Sequence, residues 1–186
     1  MIQALWDIIT DLAGDLAPWV VIDPDTKGIV VRLGKYKKTI SGGFHFKIPF
    51  LDDIQVVSCV FTTQDLPTQS LVTADNYGII VSGIVAYSIS DPKRYILEVY
   101  QASDVIKDVA LGAIKNEVMA YDYDDLRSAV NAVETEITTL LSTRLVAFGI
   151  TVAPNGFSFS DIAPARNFRL LQDYNYRSTN TIDDDE

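Results

Sequence analysis

The sequence predicts an α+β fold: a mixed, mostly antiparallel sheet, then two to three helices, then a closing strand, with an amphipathic helix ahead of the sheet. Three observations predict it. Runs of β-branched residues bounded by Gly, Asn and Pro fill the first half of the chain, which is typical of strands. Apolar residues then recur at helical spacing. A last extended stretch follows Gly149, a residue type that commonly ends helices.

Five strands are expected ahead of the helices. Gly34 and the pair Gly42–Gly43 mark turns, and Asp75–Gly78 marks a tight turn before the longest apolar run. That run is rich in Val and Ile, which favours a central strand. The expected strands are Lys27–Leu33, Phe44–Phe46, Ile54–Val60, Leu71–Asp75 and Ile79–Ile89.

The helical part and the closing stretch follow in order. Asp124 is the expected N-cap of the last helix, and Gly149 is expected to end it. The expected helices are Tyr95–Tyr100, Ala102–Tyr121 and a long one from Asp124 to Phe148. The closing stretch is expected in two pieces, Ile150–Val152 and Phe157–Ile162, separated by Pro154 and Gly156.

Composition excludes several kinds of site. With 186 residues the chain can bury about 70% of its unfolded surface as one domain or two subdomains. The one cysteine, Cys59, excludes an internal disulfide and a cysteine zinc site, and we expect it to be a small buried side chain. The one histidine, His45, excludes histidine-rich metal sites. A net charge of −10 argues against nucleic acid as a partner.

The charge is unevenly distributed along the chain. Residues 1–26 carry five acids and no Lys or Arg, whereas residues 27–51 carry six basic residues and no acid. This basic block predicts a surface that faces lipid phosphates or the acidic face of a neighbouring copy. The alternative is a solvated hairpin whose lysines discourage edge pairing. The six residues are Lys27, Arg32, Lys35, Lys37, Lys38 and Lys47.

Residues 2–17 have the pattern of an amphipathic helix. Apolar side chains form one stripe, three aspartates (Asp7, Asp11 and Asp15) lie on the other side, and Pro18 ends the helix. Together with Trp19, this stripe is our candidate membrane-binding surface. Its members are Ile2, Leu5, Trp6, Ile9, Leu12, Leu16 and Trp19.

This helix fits neither a signal peptide nor a membrane span. It lacks the positive residues that open a signal peptide, and its aspartates interrupt any apolar run of about 20 residues. It is expected to lie in a membrane interface or to dock on protein. Burying six large side chains would contribute on the order of 1.5–3 kcal/mol each. Repulsion of the aspartates by anionic lipid opposes this, and the basic block could offset the repulsion.

These patterns divide the chain into three parts. Residues 1–22 are expected to form the N-terminal amphipathic helix, residues 23–163 the folded domain, and residues 164–186 a C-terminal segment. The last part ends in a run of four acids, Asp183 to Glu186, and its end is expected to be disordered.

Read in order, several segments resemble the SPFH, or band 7, domain of stomatins, prohibitins, flotillins and the HflK/C proteins. GIVVRLGKY at Gly28–Tyr36 resembles the family's opening strand, and GGFHFKIPFLDDI at Gly42–Ile54 resembles its glycine turn and Pro-containing strand. LVTADNYGIIVSGIVAYSISDP at Leu71–Pro92 is similar to its long strand. YDYDDLRSAV at Tyr121–Val130 and FGITVAPNGFSFSDI at Phe148–Ile162 resemble its second helix and closing strand.

The resemblance implies a membrane-associated scaffold that assembles into rings or cages. Two family features are expected to differ: a shorter acidic helix is predicted in place of the N-terminal hydrophobic segment, and the residues after Ile162 show no heptads that would predict the usual coiled coil. Membrane attachment should then be peripheral, and copies should assemble domain to domain. Short forms of this kind resemble phage- or virus-encoded members of the family.

Three functional hypotheses follow. The first is a peripheral membrane scaffold that forms homo-oligomers on the cytosolic face of a membrane. The second is a phage or virus structural or host-interaction protein, in an infected bacterial cell or a virion, that joins other SPFH proteins or a membrane protease without binding lipid. The third is an enzyme, and no residue pattern supports it: phosphate-binding, nucleophile-elbow and zinc-protease motifs are absent from the sequence. We therefore expect no catalytic residue, cofactor or metal.

Overall fold

The computed structural model describes residues 18–165, which fold into two compact units. The first unit takes its described residues from Met1–Thr62, Ser88–Tyr100 and Val146–Thr151. The second takes them from Thr63–Tyr87, Gln101–Leu145 and Val152–Glu186. The α+β class and the predominance of antiparallel strands are confirmed. The helix expected over residues 2–17 and the C-terminal acidic run lie outside the described residues.

In the described part of the chain, six strands come first, four helices follow, and a seventh strand comes last. The strands are β1 Trp19–Arg32, β2 Lys35–Phe46, β3 Asp52–Ser58, β4 Thr62–Asp65, β5 Gln69–Val72, β6 Gly78–Ile89 and β7 Ile150–Pro164. The helices are α1 Pro92–Leu97, α2 Ala102–Val118, α3 Tyr123–Ser128 and α4 Val130–Leu145, followed by a 3-10 turn at Val146–Phe148.

The first unit contains an antiparallel sheet with the strand order β2-β1-β3. Strands β1 and β2 pair over their whole length, but the register shifts between Ile22 and Lys27. The shift bends the two-stranded ribbon. Ile22, on one side of the bend, therefore packs in one cluster with Val30 and Ile40, which lie on the other side. Gly42 lies at this bend, where an added Cβ would stand 2.7 Å from Pro24 Cα. The ribbon therefore encloses a small core of its own.

Helix α1 lies against β1 and β3 of the same sheet. Asp91 caps it, because the carboxylate accepts from the backbone N–H groups of Lys93 and Arg94 at 3.0 and 3.4 Å. Gly149, at φ +76°, accepts from the N–H groups of Ser90 and Asp91. Its predicted role as the residue that ends the helical part is confirmed.

The second unit is built on β6, which pairs with β4, β5 and β7. Alternate residues of β6, from Ile79 to Tyr87, are buried, as a strand with one core face requires. Helix α2 packs against α4 and also contacts β5. The buried side chains of the two helices recur at helical spacing, with Ile106 and Ile114 on α2 and Ile137 and Leu141 on α4 among them.

Side chains of α4 hold the backbone of β7. The Thr138 hydroxyl accepts from the Phe157 N–H at 3.2 Å and donates to the Glu134 carbonyl at 2.8 Å. The Glu134 carboxylate accepts from the Phe159 N–H at 2.8 Å and from the Ser158 hydroxyl at 3.0 Å. These polar contacts fix the strand where its backbone meets the helix.

Several sequence-based boundaries were wrong. β1 begins at Trp19, so residues 19–22, predicted as the end of the N-terminal helix, form a strand in which Val20 and Ile22 pack toward the core. β2 begins at Lys35 rather than Phe44. β7 is continuous from Ile150 to Pro164 through the expected break, where Asn155 takes a φ of +52°.

The long helix expected from Asp124 to Phe148 is divided. Asp122, not Asp124, is the residue before α3, whose first hydrogen bond runs from the Leu126 N–H to the Asp122 carbonyl at 2.8 Å. Ala129 leaves helical geometry, at φ −111° and ψ 22°, and α4 starts again after it. The periodicity continues through this break, so it could not reveal the change in direction.

Replacing Thr138 with Val should destabilise the second unit by about 1–3 kcal/mol, because it removes the acceptor of the buried Phe157 N–H while keeping the side-chain volume. Chemical denaturation would measure the loss. Thr139→Val is the matched control: this exposed hydroxyl only donates to the Thr135 carbonyl, at 2.9 Å, and the change should stay within about 0.5 kcal/mol. Equal effects of the two substitutions would contradict this role for Thr138.

Candidate functional site

One end of the first unit exposes large apolar side chains. Trp19 pairs with Phe46 and Val21 pairs with Phe44, so the four side chains share one face of the β1–β2 ribbon. Their exposed fractions are 51% for Trp19, 69% for Val21, 58% for Phe44 and 76% for Phe46. The two phenylalanine rings pack edge to face, with centroids 5.2 Å apart. We call these four residues the ribbon face.

The ribbon face points outward because its opposite side is occupied. Val20 and Ile22 pack with Val30, Ile40 and Ile54 on the other side of the ribbon. Successive side chains of a strand alternate between the two faces, so packing Val20 and Ile22 inward leaves their neighbours facing out. The exposure is therefore a consequence of register rather than of a frayed end.

The loop from Lys47 to Leu51 extends the apolar end. Phe50 is 86% exposed and takes a positive φ of 66°, a conformation that is unusual for an aromatic residue. The Leu33 N–H donates to the Leu51 carbonyl at 3.2 Å, which joins the loop to the β1–β2 turn, where Leu33 is also largely exposed. Phe50 and Leu33 thus form a second exposed apolar group, which we call the loop group.

A buried carboxylate anchors this loop. Asp52, whose side chain is 2% exposed, accepts from Arg32 Nε at 2.5 Å and from Arg32 Nη2 at 2.8 Å. It also accepts from the Ile48 N–H at 2.9 Å. The hydrogen bond from Arg32 is the largest cause that holds the pKa of Asp52 well below its usual range, and the hydrogen bond from the Ile48 N–H is the next largest. In turn, the hydrogen bond to Asp52 raises the pKa of Arg32.

A groove of about 820 Å³ runs between the ribbon, the loop and β3. Apolar side chains from all three line it, together with the charged residues Lys47, Asp52 and Asp53. The lining includes Val20, Val21, Leu33, Pro49, Phe50 and Ile54. The groove therefore brings Val21 of the ribbon face together with Leu33 and Phe50 of the loop group.

The structure separates the six basic residues predicted to form one surface. Arg32 is bonded to Asp52, so its charge is compensated. Lys27 is half-buried on the same side of β1 as Ile29, away from Val30. Lys47 follows β2, near the groove. Lys35, Lys37 and Lys38 remain together and exposed at the start of β2.

His45 and Cys59 each lie close to a backbone carbonyl group of the first unit. His45 is half-buried, and its Nε2 lies 2.6 Å from the Ser41 carbonyl. Cys59 lies just after β3 and is half-exposed, with its Sγ 3.9 Å from the Val57 carbonyl, so the expectation of a buried strand residue was wrong. Its strand ends one residue earlier, at Ser58. Residues 18–165 contain no cluster of three or more His, Cys, Asp or Glu side chains that could hold a metal.

The predicted membrane-binding residues are only partly placed. Trp19 belongs to the ribbon face, whereas Ile2, Leu5, Trp6, Ile9, Leu12 and Leu16 lie outside the described residues. Among the described helices, none has the length and hydropathy needed to cross a bilayer.

Sequence reasoning missed most of the apolar end. Val21, Leu33, Phe44, Phe46 and Phe50 had no assigned role. The alternation in Phe44–His45–Phe46 was a usable signal, because one side of such a strand must be apolar throughout. Which side faced outward depended on the pairing with β1.

The Asp52 contacts predict a specific acid response. Because the fold lowers its pKa, Asp52 stabilises the first unit fully above its unfolded pKa of about 4, and this contribution is lost as the pH falls below that value. Asp52→Asn should therefore lower the denaturation midpoint at pH 7, and the difference from the parent chain should shrink below about pH 4. Asp53→Asn, at the exposed neighbouring position, is the control. A difference that stays constant down to pH 2 would contradict the assignment.

Comparison with known proteins gives the family. The sequence profile of the SPFH domain / Band 7 family matches residues 20–173. An uncharacterized protein of Methanothermobacter thermautotrophicus is 26% identical over 132 residues, which cover 71% of this chain and 42% of that protein. The modulator of FtsH protease HflC of Escherichia coli is 26% identical over 118 residues, 57% of this chain and 35% of HflC.

Protein HflK of Vibrio cholerae is 28% identical over 89 residues, which cover 48% of this chain and 22% of HflK. The chain thus spans less than half the length of each of these three relatives. The family profile covers most of the chain, and it includes every described strand and helix apart from the first residue of β1. The chain belongs to the SPFH domain / Band 7 family.

Proposed function

We propose that this chain is a non-enzymatic peripheral membrane scaffold that self-assembles through its SPFH domain and organises a membrane patch or partner proteins. The observation that carries the proposal is the apolar end of the first unit, made of the ribbon face and the loop group. Val21 of the ribbon face and Leu33 and Phe50 of the loop group line one groove, and soluble monomers rarely expose large apolar patches without a binding role.

The composition of this end favours a lipid interface. Trp19 and three phenylalanines are large, and moving a side chain of this size out of water contributes roughly 1.5–3 kcal/mol. Tryptophan in particular concentrates at the headgroup level of membranes. These side chains are 51–86% exposed and so already partly buried, and three or four of them inserted together would contribute several kcal/mol toward binding, less than the sum for full burial.

The N-terminal stripe would act beside this end. The stripe, from Ile2 to Leu16, ends three residues before Trp19, the first residue of β1. A helix over residues 2–17 that lay in the interface would therefore enter the domain at the ribbon face. Its three aspartates disfavour anionic lipid.

The exposed lysines would counter that repulsion. Each Lys near an anionic surface contributes about 1 kcal/mol to attraction. Lys35, Lys37 and Lys38 are exposed and available for this role, and the half-buried Lys47 could add to it, whereas Arg32 is occupied by Asp52. We infer that the membrane contact depends on apolar insertion first and on charge second.

The proposed partners are further copies, other SPFH proteins or a membrane protease, on the cytosolic face of a membrane. The relative HflC is named as a modulator of the FtsH protease, which supports the last of these partners. The proposed mode of self-assembly is a contact between the exposed part of the basic block in one copy, Lys35, Lys37 and Lys38, and the acidic surface of the next copy.

The alternative is a phage or virus structural or host-interaction protein that uses the SPFH domain for assembly without lipid. The acidic face of the N-terminal segment favours it. The apolar end would then be covered by protein. Large assemblies formed without lipid, and no binding to vesicles, would support this alternative.

Flotation with vesicles tests the proposal. Phe50→Glu and Phe46→Glu should each reduce partitioning at least about tenfold, because each removes the insertion of a large side chain and adds a charge. Tyr100→Glu is the matched control: Tyr100 is 87% exposed, against 86% for Phe50, in the same unit but outside the apolar end. If the control loses as much binding as Phe50→Glu, or if neither variant loses any, the proposal fails.

A further inference from the structure

We propose that the acidic run Asp183–Glu186 binds the exposed lysines of β2 and competes with anionic lipid for them. The lysines are Lys35, Lys37 and Lys38, which we call the β2 lysines. The lipid competition rests on the membrane role proposed above. The contact between the acidic run and the lysines does not depend on that role.

The β2 lysines are held close together by the strand. Lys38 lies opposite Val30 and Lys35 lies opposite Arg32, so these two lysines project from the same face of the sheet. Lys37 is the extra residue at the register shift between Val30 and Val31. Three cations within four consecutive positions therefore share one short segment of exposed strand.

Within residues 18–165, the β2 lysines form no ion pair within 4.0 Å. Asp52 has an electrostatic interaction with Lys37, but its carboxylate oxygens accept hydrogen bonds from Arg32 and the Ile48 N–H. Asp53 lies opposite Val31, on the other face from Lys35 and Lys38. Neither neighbouring carboxylate compensates the three charges, which favours an acidic partner from elsewhere.

The position of β2 also suits an extended partner. It is an edge strand of the sheet in the order β2-β1-β3, and ten of its 12 residues are exposed. An edge strand offers outward backbone N–H and C=O groups to a peptide that lies beside it. Lysines at such an edge repel other lysine-bearing edges and admit an acidic strand.

The acidic run meets both requirements. It places four carboxylates at consecutive positions, Asp183 to Glu186, matching the density of the three lysines. The run follows Ala165, the last described residue, by 18 positions, so the intervening chain can span up to about 60 Å. This length and the opposite charges of the two segments make the acidic run the proposed occupant of the lysine-bearing edge.

The consequence is that the acidic run would cover the positive charge of the β2 lysines. Phosphate headgroups and the acidic run present the same kind of anion to the same three lysines. Binding of the run would lower attraction to anionic vesicles, by up to about fivefold for each lysine that it covers. A membrane rich in anionic lipid would displace the run, whereas a neutral membrane would not.

A peptide titration tests the contact without any membrane. The receptor is the full chain with Asp183→Asn, Asp184→Asn, Asp185→Asn and Glu186→Gln, called the neutral-tail variant. A fluorescent peptide of residues 178–186 should bind it at low salt, and Lys35→Gln, Lys37→Gln and Lys38→Gln together should weaken binding at least tenfold. A peptide with the four acids replaced by amides should not bind. Absence of binding, or binding that ignores the lysines, would overturn the proposal.

Vesicle partitioning tests the competition. On vesicles containing phosphatidylserine, the neutral-tail variant should partition about tenfold more strongly than the parent chain, with no gain on phosphatidylcholine vesicles. The matched control neutralises four exposed acids elsewhere and so has the same net charge. Its substitutions are Asp65→Asn, Glu98→Gln, Asp108→Asn and Asp161→Asn.

The control should change partitioning less than twofold. An equal gain in the control would mean general repulsion and would overturn the competition. With the three lysines already changed to Gln, neutralising the tail should have no further effect, and a full gain in that background would also overturn it. If no variant binds vesicles at all, the proposed membrane function and the competition both fail, and the peptide titration still decides whether the contact exists.

Discussion

The bend in the β1–β2 ribbon is the constraint on which the candidate site depends. It arises where the register shifts between Ile22 and Lys27, opposite Gly42, a position with no room for a side chain. The bend lets Val20 and Ile22 pack onto the other arm of the same ribbon. Because a strand alternates its faces, that packing turns the ribbon face outward. The apolar end is thus produced by the same contacts that stabilise the sheet around it.

The ion pair between Arg32 and Asp52 positions the loop that carries the rest of the apolar end. Asp52 accepts hydrogen bonds from Arg32, at the end of β1, and from the Ile48 N–H, in the loop that carries Phe50. It therefore connects β1 to that loop. An ion pair between residues 20 positions apart thereby holds an exposed aromatic residue in place. It also removes Arg32 from the basic surface, so the remaining surface charge is concentrated at the β2 lysines.

Elements with strong local periodicity could be predicted from the sequence, and relations between distant segments could not. The long β6 and α2 were predicted within a few residues, since their buried positions repeat every second residue or with helical spacing. The break at Ala129 was missed because apolar periodicity runs through it. The ribbon face was missed because it depends on the pairing of Trp19 with Phe46, and the loss of Arg32 depends on Asp52.

Whether the apolar end enters a membrane can be measured through Trp19. The chain has two tryptophans, so Trp6→Phe leaves Trp19 as the single reporter, at the centre of the proposed contact. Added vesicles should shift its emission to shorter wavelength, and lipids brominated near the headgroup should quench it. The reciprocal Trp19→Phe chain reports on residues 2–17. Trp19 emission that stays unchanged and unquenched on vesicle-bound protein would contradict the account.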